Sequence, residues 1–171
     1  MKRIGIFVDV SNIYGTLKNR YNRKLDYGKL LKFIDGPDGF GEVIVKIAYG
    51  ADISNPEENP ELSKASQSFK DFLEMKGFKL KYKTPKRYNQ SDGRVKLKAD
   101  HDVTIAIDMV RHADKLDRMI LCCADGDLVP AVDFVQAKGL EVIVLACNIS
   151  KELAKRATES IEIPAMLLED K

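Results

Sequence analysis

Two apolar runs that each end at an aspartate constrain the fold of this chain more than any other feature of its sequence. The run 3–8 reads Arg-Ile-Gly-Ile-Phe-Val and is followed by Asp9. The run 119–123 reads Met-Ile-Leu-Cys-Cys, and Asp125 and Asp127 come just after it. Near-continuous apolar runs of this length are typical of strands buried on both faces of a parallel sheet. Open α/β sheets form sites at the carboxyl ends of their strands, so these aspartates are predicted to meet at one edge if the strands are neighbours.

Strand-like and helix-like patterns alternate along the rest of the chain. Strands are predicted at 3–8, 42–49, 78–83, 93–98, 119–123 and 140–146, and helices at 11–17, 27–34, 61–76, 102–112, 128–138 and 151–158. Such alternation requires right-handed crossovers between parallel strands. The sequence therefore predicts an α/β three-layer sandwich with a mainly parallel central sheet. Because no linker, repeat or low-complexity segment divides the chain, we expect a single domain over residues 1–171.

The composition excludes several classes of protein. Of the 171 residues, 44% are hydrophobic and 32% are charged, which is ordinary for a globular chain with a sizeable core. No apolar window is long enough for a bilayer span, and the first residues do not form a secretory signal. Three cysteines, Cys122, Cys123 and Cys147, fit neither a disulfide framework nor a zinc site. We therefore expect a cytoplasmic protein whose cysteines are small, reduced core residues.

Positive charge is concentrated in the segment 76–98, which we call the basic segment. It holds nine Lys and Arg residues against one acid, a local net charge of +8, and leaves the remainder of the chain at −6. Strands 78–83 and 93–98 alternate Lys or Arg with apolar residues, and they are predicted to pair as a basic ribbon that projects from the sheet. A basic segment on an acidic body favours an anionic partner, such as a nucleic acid, that binds at one place. The predicted nucleic-acid contacts are Lys81, Lys83, Arg94, Lys96 and Lys98.

The same lysines have a second interpretation, which the sequence leaves open. A row of lysines on a strand is a common device that protects a sheet edge from pairing with another chain. On that interpretation the basic segment is a solvated surface and contacts no nucleic acid.

The predicted helix 102–112 begins with Asp102, which can supply a fourth carboxylate to the sheet edge. Clustered carboxylates repel one another unless a cation lies between them, and oxygen ligands are those that Mg²⁺ and Mn²⁺ prefer. Such ions offset the charge that develops when water attacks a phosphodiester. The predicted catalytic residues and ligands of Mg²⁺ or Mn²⁺ are Asp9, Asp102, Asp125 and Asp127.

Other polar residues near these motifs are given lesser roles. Asn12 is predicted to orient a carboxylate or to contact phosphate. Asp108 lies about 240° around the helix from Asp102, so it is predicted to support the site and not to face the same ion. His101 and His112 lack ligand spacing and are predicted to be surface or capping residues. Asp-Gly is also a turn signal, and on that interpretation the Asp125 motif is structural.

Three motifs together resemble a known family. They are Phe-Val-Asp-Val-Ser-Asn-Ile-Tyr at 7–14, Lys-Ala-Asp-His-Asp at 98–102 with Asp108 further on, and Ala-Asp-Gly-Asp-Leu-Val-Pro at 124–130. In this order, over nearly the whole chain, they resemble the NYN domain proteins of the LabA type, within the PIN-like nuclease superfamily. The resemblance implies a metal-dependent endoribonuclease acting on RNA. The residues that match the family's site are Asp9, Asn12, Asp102, Asp125 and Asp127.

Three positions depart from the family's pattern. Val10 and Ala124 stand where the family usually has glycine, and Cys123 stands where it usually has serine or threonine. The carboxylates are all retained. The departures therefore bear on the rate of catalysis more than on metal binding.

Two other functions that occur on similar folds lack their motifs in this chain. A haloacid-dehalogenase-type phosphatase requires a second aspartate two places after Asp9, where this chain has Ser11. A von Willebrand type A module requires a serine where this chain has Ile13. The alternative that stays open is a catalytically weak RNA-binding or regulatory protein on the same fold. The sequence also leaves open a homo-oligomer.

Overall fold

The two apolar runs lie side by side at the centre of a six-stranded parallel sheet. The computed structural model describes residues 1–36, 39–52, 59–89 and 95–170. In chain order the strands are β1 Arg3–Asp9, β2 Glu42–Ala51, β3 Lys79–Lys83, β4 Lys86–Asn89, β5 Val95–Lys98, β6 Arg118–Cys122, β7 Glu141–Ala146 and β8 Glu159–Glu162. The sheet order is β3-β2-β1-β6-β7-β8, and every neighbouring pair is parallel.

Helices cover both faces of this sheet, so the predicted α/β sandwich with a mainly parallel sheet is confirmed. They are α1 Val10–Tyr21, α2 Tyr27–Ile34, α3 Pro60–Met75, α4 Asp102–His112, α5 Val129–Ala137 and α6 Lys151–Arg156. Six of the seven residues of β1 are buried. The central strands therefore form the core, and their carboxyl ends reach the surface together.

Local signals in the sequence set the ends of several helices. The Asp26 carboxylate accepts a hydrogen bond from the Lys29 N–H at 2.9 Å and caps α2. Gly77 and Gly139 follow α3 and α5 with φ values of +81° and +89°. Residues with a side chain rarely adopt that backbone conformation, so glycine fits the position that ends each helix.

Two predicted boundaries differ from the structure. Helix α1 continues to Tyr21, because Tyr21 packs against the core one turn after the buried Leu17, while the polar residues 18–20 between them are exposed. The predicted helix 151–158 ends at Arg156, and the polar strand β8 follows it and pairs with β7. Strand β8 carries no apolar pattern from which it could be predicted.

The predicted pairing within the basic segment is wrong. Strand β3 joins the main sheet as the parallel partner of β2, and β5 pairs antiparallel with β4. The sequence predicts a ribbon of 78–83 with 93–98, whereas the partner of β5 is β4, for which the sequence predicts no strand. The alternation of lysines with apolar residues in β3 is therefore that of an edge strand of the main sheet.

No helix in the part of the chain that the structure describes is both long and apolar enough to span a membrane.

Candidate metal centre

Asp9 ends β1 and begins α1, so its side chain lies at the carboxyl edge of the sheet. Its Oδ1 accepts a hydrogen bond from the Asn12 N–H at 3.0 Å, which caps α1. The residue is 8% exposed. Burial raises the pKa of this carboxyl above its ordinary value, and the hydrogen bonds from the backbone of Asn12 and Ser11 oppose the rise.

Asp125 and Asp127 lie on the loop after β6, the strand beside β1. Asp125 Oδ1 accepts a hydrogen bond from the Asp127 N–H at 3.0 Å and starts one turn of 3₁₀ helix, Gly126–Leu128. The loop is tied to α1, because the Ala124 N–H donates to Asn12 Oδ1 at 3.1 Å. Asn12 thus ties the start of α1 to the loop that carries Asp125 and Asp127.

Asp102 begins α4 and lies close both to Asp9 of β1 and to the aspartates of the loop after β6. One group of ligand atoms, from Asp9, Asp102 and Cys123, lies within 4.8 Å of one another. A second group, from Asp102, Asp125 and Asp127, meets the same limit. Asp102 is the shared member, so the structure brings the four predicted acids together in one cluster.

The electrostatics of Asp102 follow from this placement. Burial, the hydrogen bond and charge of Asp100, and the charges of Asp125 and Asp9 raise its pKa from 3.8 to about 7. Each of these causes disfavours the carboxylate form of Asp102. A bound cation would favour the carboxylate form of Asp102, because the cation attracts the negative charges that repel one another in its absence.

The donor set fits a hard divalent cation. Four carboxylates supply oxygen ligands, and Mg²⁺ needs few of them because it keeps several waters. Mg²⁺ binds oxygen at about 2.0–2.1 Å, so two ligands on opposite sides of the ion are about 4.2 Å apart. Ligand atoms that lie within 4.8 Å of one another can therefore share an ion after a small shift.

Asp108 lies away from this cluster, on the face of α4 that packs against the sheet. It is 2% exposed. Its carboxylate accepts a hydrogen bond from the Tyr49 hydroxyl at 2.8 Å and lies 2.7 Å from the Lys81 ammonium. Asp108 therefore joins α4 to β2 and β3, and any support it gives to the site acts through the position of the helix.

The predicted nucleic-acid contacts have different surroundings. Lys81 pairs with Asp108 and is 25% exposed. The Lys83 ammonium donates to the Asp100 carbonyl at 2.8 Å, beside the start of α4. Lys96 and Lys98 belong to β5, and Arg94 lies outside the described residues.

Sequence reasoning missed the surroundings of two residues near the site. His101 is 1% exposed, and its Nε2 is 2.8 Å from the Gly50 carbonyl oxygen, so the predicted surface role is wrong. The residue does occupy the N-cap position of α4, but its side chain makes no capping hydrogen bond. Cys123, which was assigned to the core, places its Sγ 3.9 Å from Asp9 Oδ2. Its position directly before the Ala124-Asp125 motif was the available signal.

The family follows from comparison with known proteins. A model of the NYN domain family matches residues 3–165. The chain belongs to the NYN domain family. NYN domains are PIN-like nucleases that are generally dependent on divalent metal.

Two further proteins are similar to this chain. It is 25% identical over 170 residues to the low amplitude and bright protein LabA of Synechococcus elongatus, covering 94% of this chain and 83% of that protein. It also resembles the crystal structure of a protein of unknown function from Vibrio parahaemolyticus, with a TM-score of 0.78 and 26% identity over 98% of this chain and 96% of the other. The LabA-like assignment from the sequence motifs is confirmed.

Proposed function

We propose that this protein is a ribonuclease that hydrolyses phosphodiester bonds of RNA with Mg²⁺ or Mn²⁺ held by Asp9, Asp102, Asp125 and Asp127. The observation that carries the proposal is the meeting of these four side chains at one sheet edge, within two groups that share Asp102. The aspartates come from three separate parts of the chain. Repulsion among them is unfavourable without a cation, so a purely structural role does not account for the cluster.

The residues in and around the cluster each have a defined part in this proposal. When bound, the metal supplies positive charge that offsets the negative charge of the reacting phosphoryl group. The four aspartates hold it, and Asn12 ties the loop of Asp125 and Asp127 to the start of α1, next to Asp9. Asp102 also lies beside Asp100, whose carbonyl accepts from Lys83. That lysine is therefore placed to bring the phosphate backbone of RNA close to the carboxylates.

The basic segment supplies the binding energy for RNA in this proposal. Its net charge of +8 contrasts with −6 on the rest of the chain. Strands β3 and β5 carry much of this charge, and β3 ends at the same edge of the sheet as β1. Phosphate contacts of this type are independent of sequence and depend on salt.

A cleavage assay tests the proposal. RNA labelled at one end is incubated with the protein and Mg²⁺, Mn²⁺ or a chelator, and the fragments are separated by length. We expect internal fragments with either ion and none with the chelator. Asp9→Asn and Asp125→Asn should each lower the rate by about 100-fold or more, about 2.7 kcal/mol in activation free energy. Asp114→Asn, at an exposed position after α4, is the matched control.

One observation favours a second function, a catalytically weak RNA-binding protein. Cys123 replaces the hydroxyl residue usual in the family and approaches the Asp9 carboxylate. If the protein binds RNA in a gel-shift assay but yields no metal-dependent fragments, this second function replaces the first. Cleavage that persists in both aspartate variants would contradict the metal centre itself.

A further inference from the structure

The thiol of Cys123 lies within the candidate metal centre, between carboxylates from two elements. Its Sγ is 3.9 Å from Asp9 Oδ2, and it lies within 4.8 Å of ligand oxygens from both Asp9 and Asp102. Cys123 is fully buried and Asp9 is 8% exposed. The thiol and the carboxylate therefore face each other in a place largely screened from solvent.

The two groups of ligand atoms around Asp102 differ in chemistry. The group Asp102, Asp125 and Asp127 offers three oxygens, whereas the group Asp9, Asp102 and Cys123 offers two oxygens and a sulfur. Carboxylates suit Mg²⁺ and Mn²⁺, while a thiolate favours Zn²⁺ and other softer ions. One cluster thus contains two positions with opposite preferences.

We propose that Asp9, Asp102 and Cys123 form a position selective for a thiophilic divalent cation such as Zn²⁺ or Co²⁺, beside an all-oxygen position that prefers Mg²⁺ or Mn²⁺. The inference rests on the proposed function, because both positions belong to the same metal centre. When sulfur binds the cation, the thiol proton is released to solvent and the thiolate becomes the ligand. No oxidation or reduction is involved.

The opposing interpretation is that Cys123 is a small core residue whose thiol makes a weak hydrogen bond to Asp9. Three features oppose it. Asp9 and Asp102 converge on the sulfur from different elements, Asp9 is nine-tenths buried while pointing at it, and an apolar neighbour would serve a core role equally well. The adjacent Cys122 is equally buried but belongs to neither group of ligand atoms found in the described part of the chain.

Cobalt binding tests the inference through a readout other than activity. Co²⁺ bound to a thiolate shows an intense sulfur-to-metal charge-transfer absorption in the near ultraviolet, which Co²⁺ bound to oxygen lacks. We expect this band when Co²⁺ is titrated into the full chain. Cys123→Ser should abolish it, and Cys122→Ser and Cys147→Ser, the matched controls, should retain it.

Calorimetry with Cd²⁺ and Mg²⁺ gives the selectivity. Cys123→Ser should weaken Cd²⁺ binding by about 100-fold, because it removes the sulfur ligand. Even a change in a residue that only supports a ligand weakens metal binding by about 10- to 100-fold. Mg²⁺ affinity should change by less than about threefold, since the three-oxygen group is intact. Should Cys123→Ser not fold, the Co²⁺ spectrum of the unaltered chain and of the two control variants still decides.

The outcomes separate this inference from the proposed function. If the unaltered chain binds Mn²⁺ through Asp125 but shows no charge-transfer band with Co²⁺, the sulfur position is wrong and the carboxylate centre stands. If the band persists in Cys123→Ser, the sulfur ligand is another cysteine and the inference fails. If neither Mn²⁺ nor Co²⁺ binds, both proposals are overturned.

Discussion

At the scale of single residues, Asp102 makes the most specific prediction about pH. Its pKa in the fold is about 7, above the 3.8 of an unperturbed carboxyl. The fold therefore favours the protonated form, and the stability gained is complete below about pH 4 and is lost as pH rises through 7. The groups that face it are Asp100, Asp9 and Asp125.

We expect the free energy of unfolding of the metal-free protein to fall between about pH 4 and pH 7. Because Asp102 is partly exposed, screening limits its share to about 1–2 kcal/mol. Asp102→Asn should remove this share and stabilise the metal-free protein at pH 8. Urea denaturation in the presence of a chelator measures the free energy of unfolding of the unaltered protein and of the variant at each pH. An unchanged pH dependence in the variant would mean that the carboxylates are too far apart to interact.

Asn12 allows a second test at the same scale. Asn12→Ala leaves the buried N–H of Ala124 without the acceptor that it has in the structure. We expect a loss of about 1–3 kcal/mol in the free energy of unfolding and a loss of about tenfold in Mn²⁺ affinity, because the loop of Asp125 is released. Ser11→Ala, at the exposed neighbouring position, is the control. Equal Mn²⁺ affinity in the two variants would show that Asn12 does not hold the loop.

At the scale of elements, Asp108 joins α4 to β3 through its ion pair with Lys81 and to β2 through the Tyr49 hydroxyl. Asp108→Ala leaves Lys81 unpaired in a half-buried position and the Tyr49 hydroxyl without its partner. We expect a loss of about 3–5 kcal/mol in the free energy of unfolding. The double variant Asp108→Leu with Lys81→Met should recover most of it, because it removes both charges.

Chemical denaturation of the single and double variants gives the coupling energy, and Lys79→Ala, at an exposed position of β3, is the control. A double variant as unstable as Asp108→Ala would show that the charges contribute little. In that case the loss of the Tyr49 hydrogen bond, which both variants share, and not the unpaired Lys81 would account for the instability.

These elements also show how far the sequence could predict the structure. The strands ending at Asp9 and Cys122 could be recognised, because apolar runs and local caps are encoded by neighbouring residues. The approach of the Asp125 loop to Asp9 followed from the parallel pairing of β1 and β6, which places the carboxyl ends of the strands together. Asp102 joins them because α4 begins at the same edge.

Contacts between distant elements could not be predicted in the same way. Alternation in β3 gave the face on which Lys81 lies, but it could not show that Asp108 of α4 covers that face. Burial of His101 depends on the Gly50 carbonyl, about fifty residues away in the chain. Short polar strands such as β8 pair because of their neighbours and carry no pattern of their own.

At the scale of the whole molecule, the separation of acidic body and basic segment predicts the salt dependence of RNA binding. Each phosphate contact adds about 0.7 to the slope of log affinity against log salt for a single strand. Replacing Lys83, Lys96 and Lys98 together by Ala should weaken binding and lower the slope by about 2. Lys81→Ala alone should leave the slope unchanged, since its charge is already paired with Asp108.

The matched control replaces three exposed lysines of the acidic body, Lys18, Lys24 and Lys32, and so removes the same charge elsewhere. Fluorescence anisotropy with a labelled single strand at several salt concentrations measures the slope. If both triple variants lose affinity equally, net charge and not the basic segment governs binding. If neither triple variant loses affinity for RNA, the lysines of β3 and β5 only protect strand edges from pairing with another chain.

Calorimetric titration of Mn²⁺ into the unaltered protein and into Asp102→Asn tests the central claim most directly. Asp102 belongs to both groups of ligand atoms, so its loss removes a ligand from each. We predict measurable binding to the unaltered protein and to Asp114→Asn, and an affinity at least about 100-fold lower in Asp102→Asn. An Asp102→Asn isotherm that matches that of the unaltered protein would contradict the assignment of this sheet edge as a metal centre.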